Sequence, residues 1–125
     1  MFVSLVDKGE IVKISHKGSI ETFIKNLNTP LAIAFDSTRN LWLTENGSFP
    51  VNGSVKKFSS NGLLLNTFTK PASESTDFFN GPNGIAISNS GIVYFSDFPA
   101  KKVYKISHDE TIITLFADSN GVEPN

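Results

Sequence analysis

An internal repeat is the feature of this sequence that most restricts its fold. The segment from Pro30 to Glu45 aligns without a gap with the segment from Pro82 to Asp97, so each copy has a carboxylate 15 residues after a proline. Each copy contains two apolar runs, and the polar stretch 89–91 between the runs of the second copy has the composition of a hairpin turn. The repeat therefore predicts two equivalent β-hairpins that each end on an acidic side chain.

Further apolar positions recur along the whole chain at the same period. Four short strands in a period of about 40 to 50 residues are typical of the blades of a β-propeller, which bury their faces against neighbouring blades. We therefore predict an all-β fold of eleven short antiparallel strands, a partial β-propeller with four-stranded blades. Ile33, Phe35, Ile85 and Ile87 are predicted to lie on inner strands. The recurring positions are Ile11, Val55 and Val103, then Ile14, Phe58 and Ile106, then Phe23, Phe68 and Phe116.

The pattern divides the chain into about two and three-quarter blades. An incomplete first blade covers residues 1–27, two blades cover 30–70 and 82–118, and residues 119–125 match the start of a next repeat. Because a closed propeller needs roughly 4 to 8 blades, we expect a fragment of a longer propeller or several copies that complete one ring. Open blade faces and strand edges also lead us to expect self-association.

Composition restricts the expected partners. A net charge of −1 gives no electrostatic reason to expect nucleic acid or an anionic membrane. The chain has no cysteine, which excludes a disulfide framework and a thiolate metal site. No apolar run approaches the roughly 18 residues of a membrane span, and the apolar start meets Asp7 too early for a signal peptide. We therefore predict a soluble chain without a nucleic-acid or membrane partner.

Three oxygen-bearing side chains lie where strand gives way to loop, and they are the candidate binding residues: Glu45, Asn83 and Asp97. Two carboxylates and an amide suit Ca²⁺ or Mg²⁺, and Asn83 is the candidate metal ligand. Alternatively, the carboxylates accept backbone N–H bonds of the following loop, and Asn83 is a turn residue before Gly84. Since Ca²⁺ prefers roughly 6 to 8 oxygens, we expect weak or no binding by this chain alone and a site only in a completed ring.

Other residues that can carry chemistry favour structural roles. Trp42 and Tyr94 are equivalent, and we predict that they pack between blades. His16 and His108 lie in equivalent turns, far in the pattern from the carboxylates, so a catalytic His–carboxylate pair is not expected. The lysine pair at 56–57 is typical of a solvated strand edge.

The second copy of the repeat resembles an NHL repeat. The resemblance rests on Gly-Pro-Asn-Gly-Ile-Ala-Ile (81–87), Ile-Val-Tyr-Phe-Ser-Asp (92–97) and Lys-Val-Tyr-Lys-Ile (102–106). It implies a six-bladed, TolB-like propeller in a full-length protein. The first copy departs from the NHL pattern, since Leu31-Ala32 replaces Asn-Gly and Arg39 stands where Gly91 supplies the turn.

Two enzyme families with this architecture are also similar to parts of the chain. Gluconolactonase-like (SMP-30) proteins resemble it at Pro82-Asn83-Gly84, where the family's Asn is a divalent-metal ligand. Virginiamycin B lyase-like proteins resemble it at Leu41-Trp42-Leu43-Thr44-Glu45, although the lyase's catalytic histidine has no matching motif here.

The expected function is therefore a ligand- or protein-binding scaffold module, because propeller faces are loops on a rigid framework. The partner would be a protein or a small molecule. The alternatives are a truncated or split metal-dependent lactonase of the gluconolactonase type and a virginiamycin B lyase-like enzyme. RNA binding, as in some NHL proteins, would need a basic face that the composition does not provide.

Overall fold

The computed structural model of the chain describes residues 1–48, 51–72 and 74–117. Within these residues the chain forms eleven strands in three antiparallel sheets, and it has no helix long and apolar enough to cross a membrane. The first sheet contains β1 (Phe2–Leu5), β2 (Glu10–Ile14) and β3 (Ile20–Ile24). The second contains β4 (Pro30–Phe35), β5 (Leu41–Glu45), β6 (Ser54–Phe58) and β7 (Leu64–Phe68). The third contains β8 (Pro82–Ile87), β9 (Val93–Asp97), β10 (Lys102–Ile106) and β11 (Ile112–Ala117).

This architecture confirms the predicted all-β partial propeller, with the four isoleucine and phenylalanine positions on β4 and β8 as expected. In every sheet the strands pair in chain order, which is the meander of a propeller blade. The predicted start of a next repeat, at 119–125, lies outside the described residues.

The sheets pack face to face, with β4 lying between β1 and β8. Because successive side chains on a strand point to opposite faces, the second sheet contributes side chains to its interfaces with both the first and the third sheet. Leu41 and Leu43 face the first sheet, whereas Trp42 faces the third. The first interface buries Ile11, Ile24, Leu41, Leu43 and Phe58. The second buries Trp42, Val55, Phe68, Phe79, Val93, Phe95, Tyr104 and Ile106.

One predicted alignment is wrong by one residue. Phe68 lies opposite Val55 and Phe116 lies opposite Val103, but the residue opposite Ile11 is Ile24 and not Phe23. A β-bulge interrupts the pairing of the last two strands in each sheet. Such a bulge adds an unpaired residue, and a count along the sequence does not reveal where it falls.

Five hairpin turns share one geometry. The first residue donates its N–H to the carbonyl of the fifth, and the fourth residue, which has positive φ, donates its N–H to the carbonyl of the first. The fourth residues are Gly18, Arg39, Gly62, Gly91 and Glu110. In three of these turns the first residue is a serine whose Oγ also accepts the N–H of the fifth residue. The serine that recurs at positions 15, 59 and 107 is therefore a turn residue.

Candidate functional site

Glu45, at the end of β5, is buried and has both carboxylate oxygens bonded to other parts of the protein. Its Oε2 accepts the backbone N–H of Asn28 at 2.7 Å. Its Oε1 accepts the hydroxyl of Ser54 at 2.6 Å and lies 2.6 Å from Nζ of Lys56. A buried carboxylate is costly unless it is paired and hydrogen-bonded. These contacts meet that requirement and link the connection before β4 to β5 and β6.

Asp97, at the end of β9, binds the connection before β8 in the same way. Its Oδ2 accepts the N–H of Asn80 at 2.8 Å and its Oδ1 accepts the N–H of Gly81 at 2.9 Å. The side chain is fully buried. Burial raises the pKa of the nearby Tyr104 hydroxyl, and the charges of Asp97 and Asp77 raise it further.

Both carboxylates therefore bind the connection that precedes the inner strand of their own sheet. The donor N–H and the acceptor are 17 residues apart in each case, at Asn28–Glu45 and Asn80–Asp97. The sequence alternative placed these donors in the following loop. They lie before β4 and β8 because the first two strands of each sheet are antiparallel and return the carboxylate to the start of the hairpin.

Asn83 lies on β8 with an exposed side chain. Its backbone carbonyl accepts the hydroxyl of Thr44 from the neighbouring sheet at 2.6 Å. The same Thr44 oxygen accepts the N–H of Ala32 at 3.1 Å. Thr44 thus connects the inner strands of the second and third sheets. Asn83 takes part in this connection through its backbone carbonyl and not through its side chain.

As placed in this chain, the three candidate oxygen ligands do not fit a Ca²⁺ or Mg²⁺ site. Both carboxylates already accept hydrogen bonds from backbone N–H groups, and Glu45 is also paired with the Lys56 ammonium. Glu45 also belongs to a different junction from Asp97. Across 1–48, 51–72 and 74–117, no group of three or more His, Cys, Asp or Glu side chains is placed to hold a metal ion.

The two equivalent aromatic residues have different environments. Trp42 is 4% exposed, stacks on Phe68 at 5.7 Å and has Nζ of Lys57 above its ring at 5.2 Å. It packs between the second and third sheets, as predicted. Tyr94, in contrast, is 37% exposed on the far face of the third sheet.

A polar cleft lies at the opposite end of the interface between the second and third sheets from Glu45 and Asp97. Its volume is about 200 Å³, and hairpin turns of both sheets form its walls. The charged and titratable side chains that line it are Asp36, Lys57, His108 and Glu110. Its location confirms that His108 is remote from the two strand-end carboxylates.

Hydrogen bonds within the β4–β5 turn and from Trp42 fix the carboxylate of Asp36 in this cleft. Oδ2 of Asp36 accepts the indole N–H of Trp42 at 2.9 Å, and its Oδ1 accepts the backbone N–H groups of Thr38 and Asn40. Partial burial opposes ionisation, but these hydrogen bonds, with that of the Thr38 hydroxyl, lower the pKa of Asp36 below its usual value. The cleft is therefore lined by a fixed anion, Asp36, and by the cationic side chain of Lys57.

Sequence reasoning missed this cleft, although one signal for it exists. The turn before the last strand of a sheet has a glycine with positive φ in the first two sheets, Gly18 and Gly62. In the third sheet the same position is Glu110, with φ of 64°. The left-handed region costs a non-glycine residue about 1 to 2 kcal/mol, and Arg39 carries the same strain in the β4–β5 turn. What distinguishes Glu110 is that it also lines the cleft. Its oxygens lie 3.4 Å from Nδ2 of Asn66.

Comparisons with known proteins support the fold. No family model matches the chain, and no curated protein matches it. Solved structures with a similar fold include streptogramin B lyase (TM-score 0.75, 21% identity) and virginiamycin B lyase from Staphylococcus aureus (0.72, 18%). A catalytically inactive form of the latter enzyme with quinupristin is also similar, with a TM-score of 0.72 and 19% identity.

Each of these matches covers 96% of this chain and 38% of the other chain. The chain thus spans less than half the length of the structures that it resembles. These structures are β-propellers, and at such low identity the likeness shows a propeller-like fold.

Proposed function

We propose that this chain is a propeller-type binding module whose cleft between the second and third sheets holds a small polar ligand. The observation that supports the proposal is Glu110, a carboxylate on the cleft at a strained turn position that glycine occupies in the other two sheets. Strained positions cluster at functional sites. The strand-end carboxylates, by contrast, are engaged by the backbone N–H groups of the connections before β4 and β8.

The charges of the cleft favour a ligand that carries both signs. Lys57 and His108 offer cationic or donor groups, while Glu110 and Asp36 offer anionic ones. A volume of about 200 Å³ is several times the roughly 30 Å³ that one water occupies. A free amino acid fits this combination of size and charge, and no chemical conversion is required for it to bind.

Titration of the uniformly ¹⁵N-labelled chain with a panel of free amino acids tests the proposal. We expect saturable shifts of the amides of Ser90, Gly91 and His108, which line the cleft. Lys57→Ala should weaken binding at least fivefold. The matched control is Lys13→Ala, because Lys13 lies over Phe2 in the first sheet as Lys57 lies over Trp42. Absence of saturable shifts, or equal weakening by both variants, would contradict the proposal.

The likeness to streptogramin B and virginiamycin B lyases favours a second candidate, a lyase-like enzyme. Incubation with quinupristin, followed by mass spectrometry of the product, tests it directly. The binding-module proposal predicts unchanged quinupristin, whereas conversion that depends on the protein would favour the lyase.

Two finer assignments are also proposals. The NHL-type assignment rests on the pattern from Gly81 to Asp97. The gluconolactonase-type assignment needs a divalent metal near Asn83, and it is weakened by the backbone role of that residue.

A further inference from the structure

The two junctions between sheets are built from one four-residue motif: a large apolar residue, Asn, any residue, and Pro. It reads Leu27-Asn28-Thr29-Pro30 before β4 and Phe79-Asn80-Gly81-Pro82 before β8. Leu27 packs against the core of the first interface. Phe79 is fully buried in the second, with its ring centroid 5.1 Å from that of Phe95. The apolar residue therefore fills the space between two sheets.

A hydroxyl completes each junction. The residue after the proline presents its backbone carbonyl to a hydroxyl of the preceding sheet: Ser4 Oγ donates to Leu31 at 2.8 Å, and Thr44 Oγ1 donates to Asn83 at 2.6 Å. Ser4 and Thr44 are equivalent by strand register, since they lie opposite Ile11 and Val55. Each sheet thus holds the next by an apolar contact and a hydroxyl link.

The third sheet has a hydroxyl at the same register position as Ser4 and Thr44. Ser96 lies opposite Val103, the register position of Ser4 and Thr44. Its Oγ accepts the N–H of Gly84 at 3.1 Å, as Thr44 accepts that of Ala32. In the part of the chain that the structure describes, no acceptor is present for the Ser96 O–H. The hydroxyl is therefore available to a carbonyl brought from outside.

Beside Ser96 lies an apolar cavity of about 360 Å³, lined by residues that include Val103, Phe98 and Phe116. Phe98 is 77% exposed and Phe116 is 37% exposed, whereas the register equivalent of Phe116 in the second sheet, Phe68, is 7% exposed. Phe68 is covered because it belongs to the core between the second and third sheets, together with Phe79 and side chains of the third sheet. This cavity corresponds to the space that Leu27 and Phe79 fill at the two internal junctions.

We propose that the far face of the third sheet binds an extended segment of a partner polypeptide that begins with a large apolar residue, Asn, any residue and Pro. The apolar side chain enters the cavity beside Val103 and Phe116. The residue after the proline accepts the Ser96 hydroxyl, and the segment continues as a strand across Tyr94. Continuity with the two internal junctions specifies both the chemistry of the segment and its direction.

Fluorescence anisotropy with a labelled peptide of the sequence of residues 79–87, titrated with the full chain, tests this proposal. We expect saturable binding, and amide shifts centred on Tyr94, Ser96 and Val103. Replacing the peptide's first residue, Phe, by Ala should weaken binding more than tenfold, because the apolar group is lost. Ser96→Ala should weaken it about fivefold, the usual net effect of one hydrogen bond.

Ser4→Ala is the matched control, because it removes the equivalent hydroxyl from an internal junction. It should lower the melting temperature without changing the affinity for the peptide. Ser96→Ala should weaken binding of the peptide, and it should also lower the melting temperature, because Ser96 accepts the N–H of Gly84. Three outcomes would overturn the proposal. They are the absence of saturable binding, shifts confined to the β1 edge at Phe2–Leu5, and a Ser96-dependent dimer of the chain that covers the face in the absence of peptide.

Discussion

At the scale of single residues, acidic side chains have different roles in this chain. Glu45 and Asp97 are buried carboxylates whose oxygens bind backbone N–H groups, so their charge stabilises a junction. Asp36 and Glu110 lie at hairpin turns and border a solvent-open cleft. Burial, rather than residue type, therefore distinguishes the structural acids from the acids that border the cleft.

Asp36 gives a prediction about pH. The pKa of its carboxyl is lowered in the folded chain, so its contribution to stability is fully present above the unfolded value of about 3.9. That contribution is lost as the pH falls through the lower folded value. Asp36→Asn should therefore flatten the dependence of the urea midpoint on pH below about pH 4. Thermal or urea unfolding between neutral and acid pH measures this. An unchanged dependence of the urea midpoint on pH below about pH 4 would show that the hydrogen bonds of Asp36 do not contribute to stability.

At the scale of secondary structure elements, the hairpin turns show where local sequence and fold agree. The β8–β9 turn has Gly91 at its left-handed position, whereas the β4–β5 turn has Arg39 there, with φ of 67°. The hydrogen-bond pattern is the same in both turns. Arg39 in place of glycine therefore changes the strain of the turn and not its shape.

Arg39→Gly should stabilise the chain by about 1 kcal/mol, since glycine relieves the left-handed strain and loses part of that gain through the flexibility of the unfolded state. The reciprocal change, Gly91→Ala, should destabilise it, because a Cβ there would also lie 3.1 Å from Cε1 of His108. Chemical denaturation of both variants tests the pair. Destabilisation by Arg39→Gly would mean that the arginine side chain has a role of its own.

The strands and their order could be predicted from the sequence, because alternating apolar runs and a regular period are local signals. The register could not be predicted throughout, since the bulge that puts Ile24 opposite Ile11 leaves no composition signal. The cleft was missed for a different reason. Lys57 and His108 are brought together by packing of two sheets, and no spacing along the chain encodes the distance between them.

At the scale of the whole molecule, three sheets leave two unlike ends. The first sheet has three strands and the third has an exposed aromatic face. The internal junctions show which contacts a further segment would make on that face.

The metal hypothesis belongs to this scale. Calorimetry with Ca²⁺ and with Mg²⁺ should give no saturable binding to the chain, because the oxygens of Glu45 and Asp97 are engaged at separate junctions. Asn83→Ala should leave the traces unchanged. Tight binding lost in Asn83→Ala would support the original assignment, and tight binding that persists would place a metal site elsewhere.

Hydrogen exchange at the junctions is the most direct test of the central claim, that each repeat carboxylate anchors the connection that enters its own sheet from the preceding sheet. In the wild-type chain the amides of Asn80 and Gly81 should exchange slowly, because Asp97 accepts both of them. In Asp97→Asn they should exchange at least tenfold faster, a difference of about 1.4 kcal/mol, while the amide of Gly91 at the opposite end changes far less. Fast exchange of Asn80 and Gly81 in the wild type, or equal protection in the variant, would contradict the claim.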